Sequence, residues 1–416
     1  MINSFLEHID ASPTAHHVVN RATSILVENG FNQVPLTTTF TGNHLGHGFV
    51  VSGGTIIAWK NAASLSEKGI RIVGAHTDSP GLHIKPNPDS QSLKWQQLQV
   101  EVYGGPLLNS WLDRDLAIAG HVVLRDGTTS LFCSPKPVAR IPQLAIHLDR
   151  EVNDKGLILN KHQHLTPVWS IGKPTTSFAA WIAQQNSVSE SQIASWSAQL
   201  VDTQKAQIFG LNNDFIASSR IDNQMSCWAA LSSLITAPGE QPMMIALFDH
   251  EEVGSQSSTG AGGPLLEHVL ERIASASGST RTDFLAALQK SHCVSADNAH
   301  AVHPNYTDRH ELNNAPFVNE GVVVKNNVNQ RYATSPSSLV PVVHAAATAG
   351  VHLQTFSSRN NIACGSTIGP ITATRLGIET IDIGVPQLSM HSIREMCGTK
   401  DPVDLVALLS AYFSRS

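Results

Sequence analysis

The stretch Arg71-Ile72-Val73-Gly74-Ala75-His76-Thr77-Asp78-Ser79-Pro80-Gly81 carries an apolar run straight into an imidazole and a carboxylate. A short run without polar alternation suits a strand buried on both faces, as at the centre of a parallel sheet. The polar residues at its end then fall at the rim where open α/β sheets gather ligands. The pattern repeats. Met243 to Phe248 runs into Asp249-His250-Glu251-Glu252, His292 to Ala296 runs into Asp297, and Ile381 to Val385 precedes His391. Helical spacing separates these runs, in Val18, Val19, Ala22, Ile25 and Leu26 ahead of the stop Asn29-Gly30, in Gln224 to Ile235 and in Leu339 to Ala347. Strands alternating with helices predict an α/β fold with a largely parallel central sheet.

The texture changes between residues 87 and 205. Runs of β type, Leu98 to Val102 and His121 to Leu124, are broken by glycine and proline. A polar Gln/Ser-rich stretch follows from Gln184 to Gln207, whose Ile193, Trp196 and Leu200 allow a helix. The expected division is therefore a β-rich domain, 87–205, inserted into a main domain made of 1–86 and 206–416. Asp401 as N-cap, Pro402 at the first helical position and Asp404 in the first turn predict a closing helix.

Composition narrows the function classes. The chain has 416 residues, 41% of them hydrophobic, and a net charge of −6 with no lysine or arginine run. That gives no electrostatic footprint for nucleic acid or an anionic membrane surface, and small or peptidic partners fit better. The five cysteines are odd in number and form no C-x-x-C pair, so neither a disulfide framework nor a zinc knuckle is expected. Met1 to Asp10 lacks a basic and an apolar region, and no apolar stretch has spanning length, so a cytoplasmic location is expected.

Taken singly, each strand end has a plain explanation. His76 and Asp78 read as a polar turn, Asp222 in Ser218-Ser219-Arg220-Ile221-Asp222-Asn223 as a helix cap, and Glu251-Glu252 as a solvated acidic turn. Taken together they read as a metal centre. Adjacent carboxylates at the mouth of an apolar strand lose hydration and repel, so they need a cation or a proton. One of the pair would bind metal and the other accept a proton from water, while Asp78 would orient His76. Five segments supply two histidines and three carboxylates plus a spare glutamate, the inventory for two divalent ions sharing a carboxylate. Mixed nitrogen and oxygen donors without thiolate suit zinc, with cobalt or manganese as substitutes.

These segments, in this order, resemble the aspartyl aminopeptidase family of zinc peptidases, and the likeness runs end to end. It includes Ser12-Pro13-Thr14, the His76 segment, Tyr103-Gly104-Gly105, Trp111-Leu112-Asp113-Arg114-Asp115-Leu116, Ile141-Pro142 leading to Leu144-Ala145-Ile146-His147-Leu148, and Gly365-Ser366-Thr367-Ile368-Gly369-Pro370. The resemblance implies a zinc-aminopeptidase-like sandwich that removes N-terminal residues from peptides. It implies one ion held by His76, Asp222 and Asp297, and another by Asp222, Glu252 and His391. Glu251 would be the general base toward the bridging water, and His147 would reach the active site of a neighbouring subunit. Lys325 would recognise an acidic first side chain, and dimers would build a dodecamer. One departure from the family pattern stands at Arg359-Asn360-Asn361-Ile362-Ala363-Cys364-Gly365, where an acid and a proline are replaced. A broad-specificity aminopeptidase and a non-catalytic assembly or cargo protein on the same scaffold are the alternatives.

Overall fold

The strand begun at Arg71 lies in the middle of a nine-stranded sheet in the computed structural model, which describes residues 1–414. The sheet order is Asn32–Gln33, His47–Ser52, Thr55–Lys60, Met243–Phe248, Arg71–His76, His292–Ala296, Glu379–Gly384, Val322–Asn326 and Leu353–Ser357. Its four central strands, Met243–Phe248 through Glu379–Gly384, are mutually parallel. Consequently their carboxyl ends, with Phe248, His76, Ala296 and Gly384, line one edge.

Both faces of the sheet are covered, which is why these strands read as unbroken apolar runs. Met243, Ile245 and Leu247 join Val73, Ala75, Val294 and Ile381 in one buried cluster with the helices Ala15–Glu28, Ile221–Thr236 and Asp401–Ser414. Met244, Ala246 and Phe248 point the other way, into a second cluster with Ile72 and the helices Leu265–Ala276, Arg281–Lys290 and Ile368–Leu376. Each fully buried aliphatic side chain contributes about 1.5–3 kcal/mol. At Gly74 a Cβ would stand 2.7 Å from Ile368 Cδ1, so glycine lets that last helix settle onto the strand.

A six-stranded, wholly antiparallel sheet takes up the chain from Gly81 to Asp202. Its order is Thr129–Cys133, Leu116–Leu124, Ile193–Asp202, Gly81–Ser92, Trp95–Tyr103 and Val168–Ile171. It has its own apolar cluster, including Leu82, Leu98, Ile118, Phe178 and Leu200. The helix allowed over Gln184 to Gln207 is not formed there: the helix Phe178–Gln185 ends as that stretch begins, and Ile193–Asp202 is a strand. Trp196, Ala198 and Leu200 all face this cluster with period two, and it is Ala198 that converts the helical spacing into a strand.

The closing helix runs Asp401–Ser414, but Asp401 does not cap it. The Lys400 carbonyl accepts the N–H groups of Val403 and Asp404, while the Asp401 carboxylate accepts those of Gly398 and Asn319. A short first helix, Ile2–Asp10, was passed over in the sequence although Ile2, Phe5, Leu6 and Ile9 carry helical spacing, and it buries Phe5 and Ile9. Among the described residues no helix is long and apolar enough to cross a membrane. A third sheet of five short strands, Gln207–Phe209, Phe215–Ser218, Glu395–Gly398, Pro386–Leu388 and Ala299–His300, gathers the loops beyond the central strands.

Candidate metal centre

His76 ends its central strand, and its Nδ1 lies 3.0 Å from the carbonyl oxygen of Asp78. Its Nε2 faces Asp222 Oδ1 at 3.3 Å and Asp297 Oδ1 at 3.6 Å. His391 repeats the arrangement. Its Nδ1 lies 3.1 Å from the Gly105 carbonyl, and its Nε2 is 3.5 Å from Asp222 Oδ2 and 3.5 Å from Glu252 Oε2. An imidazole that donates its Nδ1 proton to a carbonyl presents a lone pair on Nε2. Here both lone pairs face carboxylate oxygens, which are acceptors too. Acceptors gathered at such distances need a cation or a proton between them. Asp222 Oδ1 and Glu252 Oε1 are buried without a hydrogen-bond partner, which is the same deficit seen from the carboxylate side.

The electrostatics agree. Burial alone would lower the His76 imidazole, yet the carboxylates of Asp222, Asp297 and Asp78 hold it well above its usual range. Burial likewise works against His391, and Asp222 and Glu252 lift it to about 10. Burial pushes Glu251 up to about 7, with His76 opposing and Asp297, Asp222 and Asp78 adding to the rise. Burial and the Asp222 charge raise Glu252 further. The pocket thus holds more negative charge than its surroundings balance, the condition that a divalent cation relieves. Ligand atoms of His76, Asp222 and Glu252 lie within 4.8 Å of one another, and this nitrogen and oxygen donor set suits zinc. The two oxygens of Asp222 face different histidines.

Local structure explains the convergence. Asp222 follows Arg220, whose φ is +60, and the Asp222–Asn223 peptide is cis. Ser79 Oγ donates to the Asp222 carbonyl at 2.7 Å and Gln224 Nε2 to the Thr77 carbonyl at 2.8 Å, tying this turn to the His76 turn. At the Glu251-Glu252 turn, the N–H groups of both residues donate to the Asp78 carboxylate at 3.1 Å each. Tyr103 donates its hydroxyl proton to the same carboxylate at 2.7 Å. Asp78 therefore anchors His76 chiefly through its backbone carbonyl, with its carboxylate 3.5 Å from Nδ1 and committed mainly to the acidic turn.

Lys325 is 2% exposed, with Nζ 3.6 Å from Asp297 Oδ2 and 5.3 Å from the centre of the Tyr332 ring, so it is not a surface lysine. His147 sits in an exposed turn beside exposed Leu144, Ile146 and Leu148, and takes no part in the contacts above. The departing segment Arg359 to Gly365 is a loop between the strand Leu353–Ser357 and the helix Ile368–Leu376.

The sequence reading passed over Glu395. It is 2% exposed, and its two oxygens accept the N–H groups of Asp222 at 2.9 Å and His391 at 2.7 Å. Burial, reinforced by the Asp222 charge, raises its carboxyl to about 8. Its only signal in sequence was its place four residues after His391.

The model of the family described as aminopeptidase I zinc metalloprotease (M18) matches residues 8–413. The chain belongs to the M18 family. A probable M18 family aminopeptidase 2 from Streptomyces coelicolor is 43% identical over 99% of this chain and 96% of its own length. Among solved structures, Ape4 in its complex with Nbr1 superposes with a TM-score of 0.93 at 34% identity, covering 99% of this chain and 85% of Ape4. The M18 aminopeptidase from Thermotoga maritima gives 0.87 at 25% identity over 100% of this chain and 96% of that one. The Saccharomyces cerevisiae mApe1 dodecamer gives 0.85 at 28% identity over 100% and 96%. This M18 chain is accordingly a metallo-aminopeptidase, a hydrolase of the zinc metalloprotease class, with its candidate metal site at His76, Asp222 and Glu252.

Proposed function

We propose that this M18 aminopeptidase binds two divalent cations, zinc foremost, and prefers peptides with N-terminal aspartate or glutamate. The observation that carries the two-ion reading is Asp222, whose Oδ1 faces His76 and whose Oδ2 faces His391. One ion would be held by His76, Asp222 and Asp297, and the other by Asp222, Glu252 and His391. Bound there, the ions supply Lewis acidity toward the scissile carbonyl and toward water.

The remaining work falls to the protein. Glu251, raised to about 7, takes a proton from the attacking water and delivers it to the leaving amine. Asp78 fixes the backbone from which Glu251 acts, through the Glu251 N–H at 3.1 Å. Lys325 supplies the cation for an acidic first side chain. Its burial beside Asp297 supports this role, because a desolvated ammonium at the metal pocket attracts a carboxylate more strongly than one in water.

Assembly enters the same reading. The segment 87–205 serves dimerisation and substrate access, and its His147 completes a neighbouring subunit's site. The exposure of Leu144, Ile146, Leu148 and Ile158 on that segment supports burial against a second copy, with a dodecamer as the final assembly. A cytoplasmic location accompanies the proposal.

Initial rates on a panel of amino-acid anilides, with metal-stripped and zinc-restored protein, test reaction and selectivity together. Hydrolysis should require the metal and be fastest with aspartyl and glutamyl anilides. A flat profile across first residues would refute the acidic preference, and undiminished rates in stripped protein would refute the ions.

A further inference from the structure

The motif Tyr103-Gly104-Gly105, whose Tyr103 hydroxyl meets Asp78 and whose Gly105 carbonyl meets His391, leaves the antiparallel sheet at the end of the strand Trp95–Tyr103 and passes beside both side chains assigned to the second ion alone. At Gly104, φ is +66, and a Cβ would stand 3.1 Å from Glu252 Cβ and 3.3 Å from the Glu252 carbonyl oxygen. At Gly105 a Cβ would stand 3.6 Å from His391 Nδ1. A side chain at Gly104 would press on Glu252, whereas a Cβ at Gly105 would make an ordinary contact with His391.

Hydrogen bonds extend the contact. The Gly105 carbonyl accepts from His391 Nδ1 at 3.1 Å, and Leu107 N–H donates to the His391 carbonyl at 2.9 Å. Ser110 Oγ accepts the Ile393 N–H at 2.9 Å. His391 itself has φ +67, a left-handed backbone that a non-glycine residue keeps only when its surroundings impose it. At the other end, Tyr103 holds the Asp78 carboxylate, which accepts the Glu252 N–H at 3.1 Å. The groups peculiar to the first ion rest elsewhere. His76 continues a central strand, Asp297 N–H donates to the Ile383 carbonyl at 2.9 Å, and Lys325 Nζ lies beside Asp297.

We propose that the strap from Tyr103 to Ser110 is the positioning element of the second metal site. The antiparallel sheet thereby governs occupancy of the site made by Glu252 and His391, while the main sheet governs the site made by His76 and Asp297. This rests on the two-ion reading above. It gives the two ions separate structural guardians and makes the second the one that responds when the antiparallel sheet shifts.

The test is zinc content per chain, measured by elemental analysis after equilibration of the full-length protein across a series of zinc buffers. Wild-type protein is expected to fill in two steps. Gly104→Ala pushes on Glu252, and Ser110→Ala removes the acceptor for the Ile393 N–H. In each, the second step should move to about 10–100-fold higher free zinc, the usual effect of losing an outer partner of a metal ligand, while the first step stays in place. Urea unfolding of the zinc-free proteins checks the fold. If either variant is unfolded there, Leu107→Pro, which removes the N–H that donates to the His391 carbonyl at a position whose φ of −71 suits proline, replaces it with the same expectation. Steps that move together, or do not move, overturn the role of the strap. A single step in wild-type protein overturns the two-ion reading on which it rests.

Discussion

Replacing His83 with phenylalanine should make this protein less sensitive to acid. His83 stacks on Tyr103 with ring centres 4.6 Å apart, and it lines a cavity of about 80 Å³ together with His16, His121, Arg220 and Asp249. His16 stacks on His121 at 3.8 Å across the junction of the helix Ala15–Glu28 and the antiparallel sheet. Burial depresses His16, His17 and His83 from 6.5 to about 4; like charge on neighbouring basic groups adds to the fall at His16 and His17, while at His83 the Asp78 carboxylate opposes it. A depressed imidazole is neutral when folded, so its contribution is fully present above pH 6.5 and is lost as pH falls toward 4. At pH 5 protonation would favour the unfolded chain over the folded one by a factor of about 30 at each of these positions, about 2 kcal/mol per group. Partial exposure of His16 and His17 brings the three together to about 3–4 kcal/mol, a large share of the stability of a domain.

The assay is urea unfolding of metal-free protein at pH 7.5 and pH 5.0, which keeps metal release out of the comparison. Phenylalanine preserves the stack on Tyr103 and removes the titration. The His83→Phe protein should therefore lose about 2 kcal/mol less than wild type between the two pH values. Equal losses in both proteins would show that the cavity does not store this acid sensitivity, and the reasoning from burial would fail.

Glu251→Gln should lower kcat by about 10²–10⁴-fold while leaving bound zinc unchanged, as measured by anilide turnover and elemental analysis. Unchanged turnover would remove the proposed base. Lys325→Met should cut kcat/KM for aspartyl and glutamyl anilides by about 10–100-fold, since a charge-assisted contact of about 1.5–3 kcal/mol is lost, and should spare neutral ones. An equal fall for every anilide would assign Lys325 to Asp297 alone.

Much of the fold was legible because its central strands are covered on both faces, which leaves an unbroken apolar signature at Ile72–Ala75 and Met243–Phe248. His76, Asp297 and the Glu251-Glu252 pair were legible for a related reason, since polar groups immediately beyond such runs have no packing role to explain them. Asp222 was ambiguous, because a carboxylate ahead of a helix reads equally well as a cap. Tyr103 and Glu395 were hidden by distance along the chain: Tyr103 serves Asp78, and Glu395 serves Asp222, a partner 173 positions away. Local pattern holds no record of such meetings. The strand Ile193–Asp202 and the cap of the final helix were misread where a single side chain decided between periods, Ala198 in one case, or found partners outside its own helix, Asp401 in the other.

The small five-stranded sheet has a bearing on how the protein is made. Its strand Phe215–Ser218 leads into Asp222 and pairs with Glu395–Gly398, so the acidic cluster closes only after the segment around His391 has been synthesised. Until then the Asp222 N–H has no Glu395 carboxylate to donate to. The chain thus has to complete its last fifth before Asp222 and His391 can be fixed against one another, which ties the final shape of the acidic pocket to the end of synthesis.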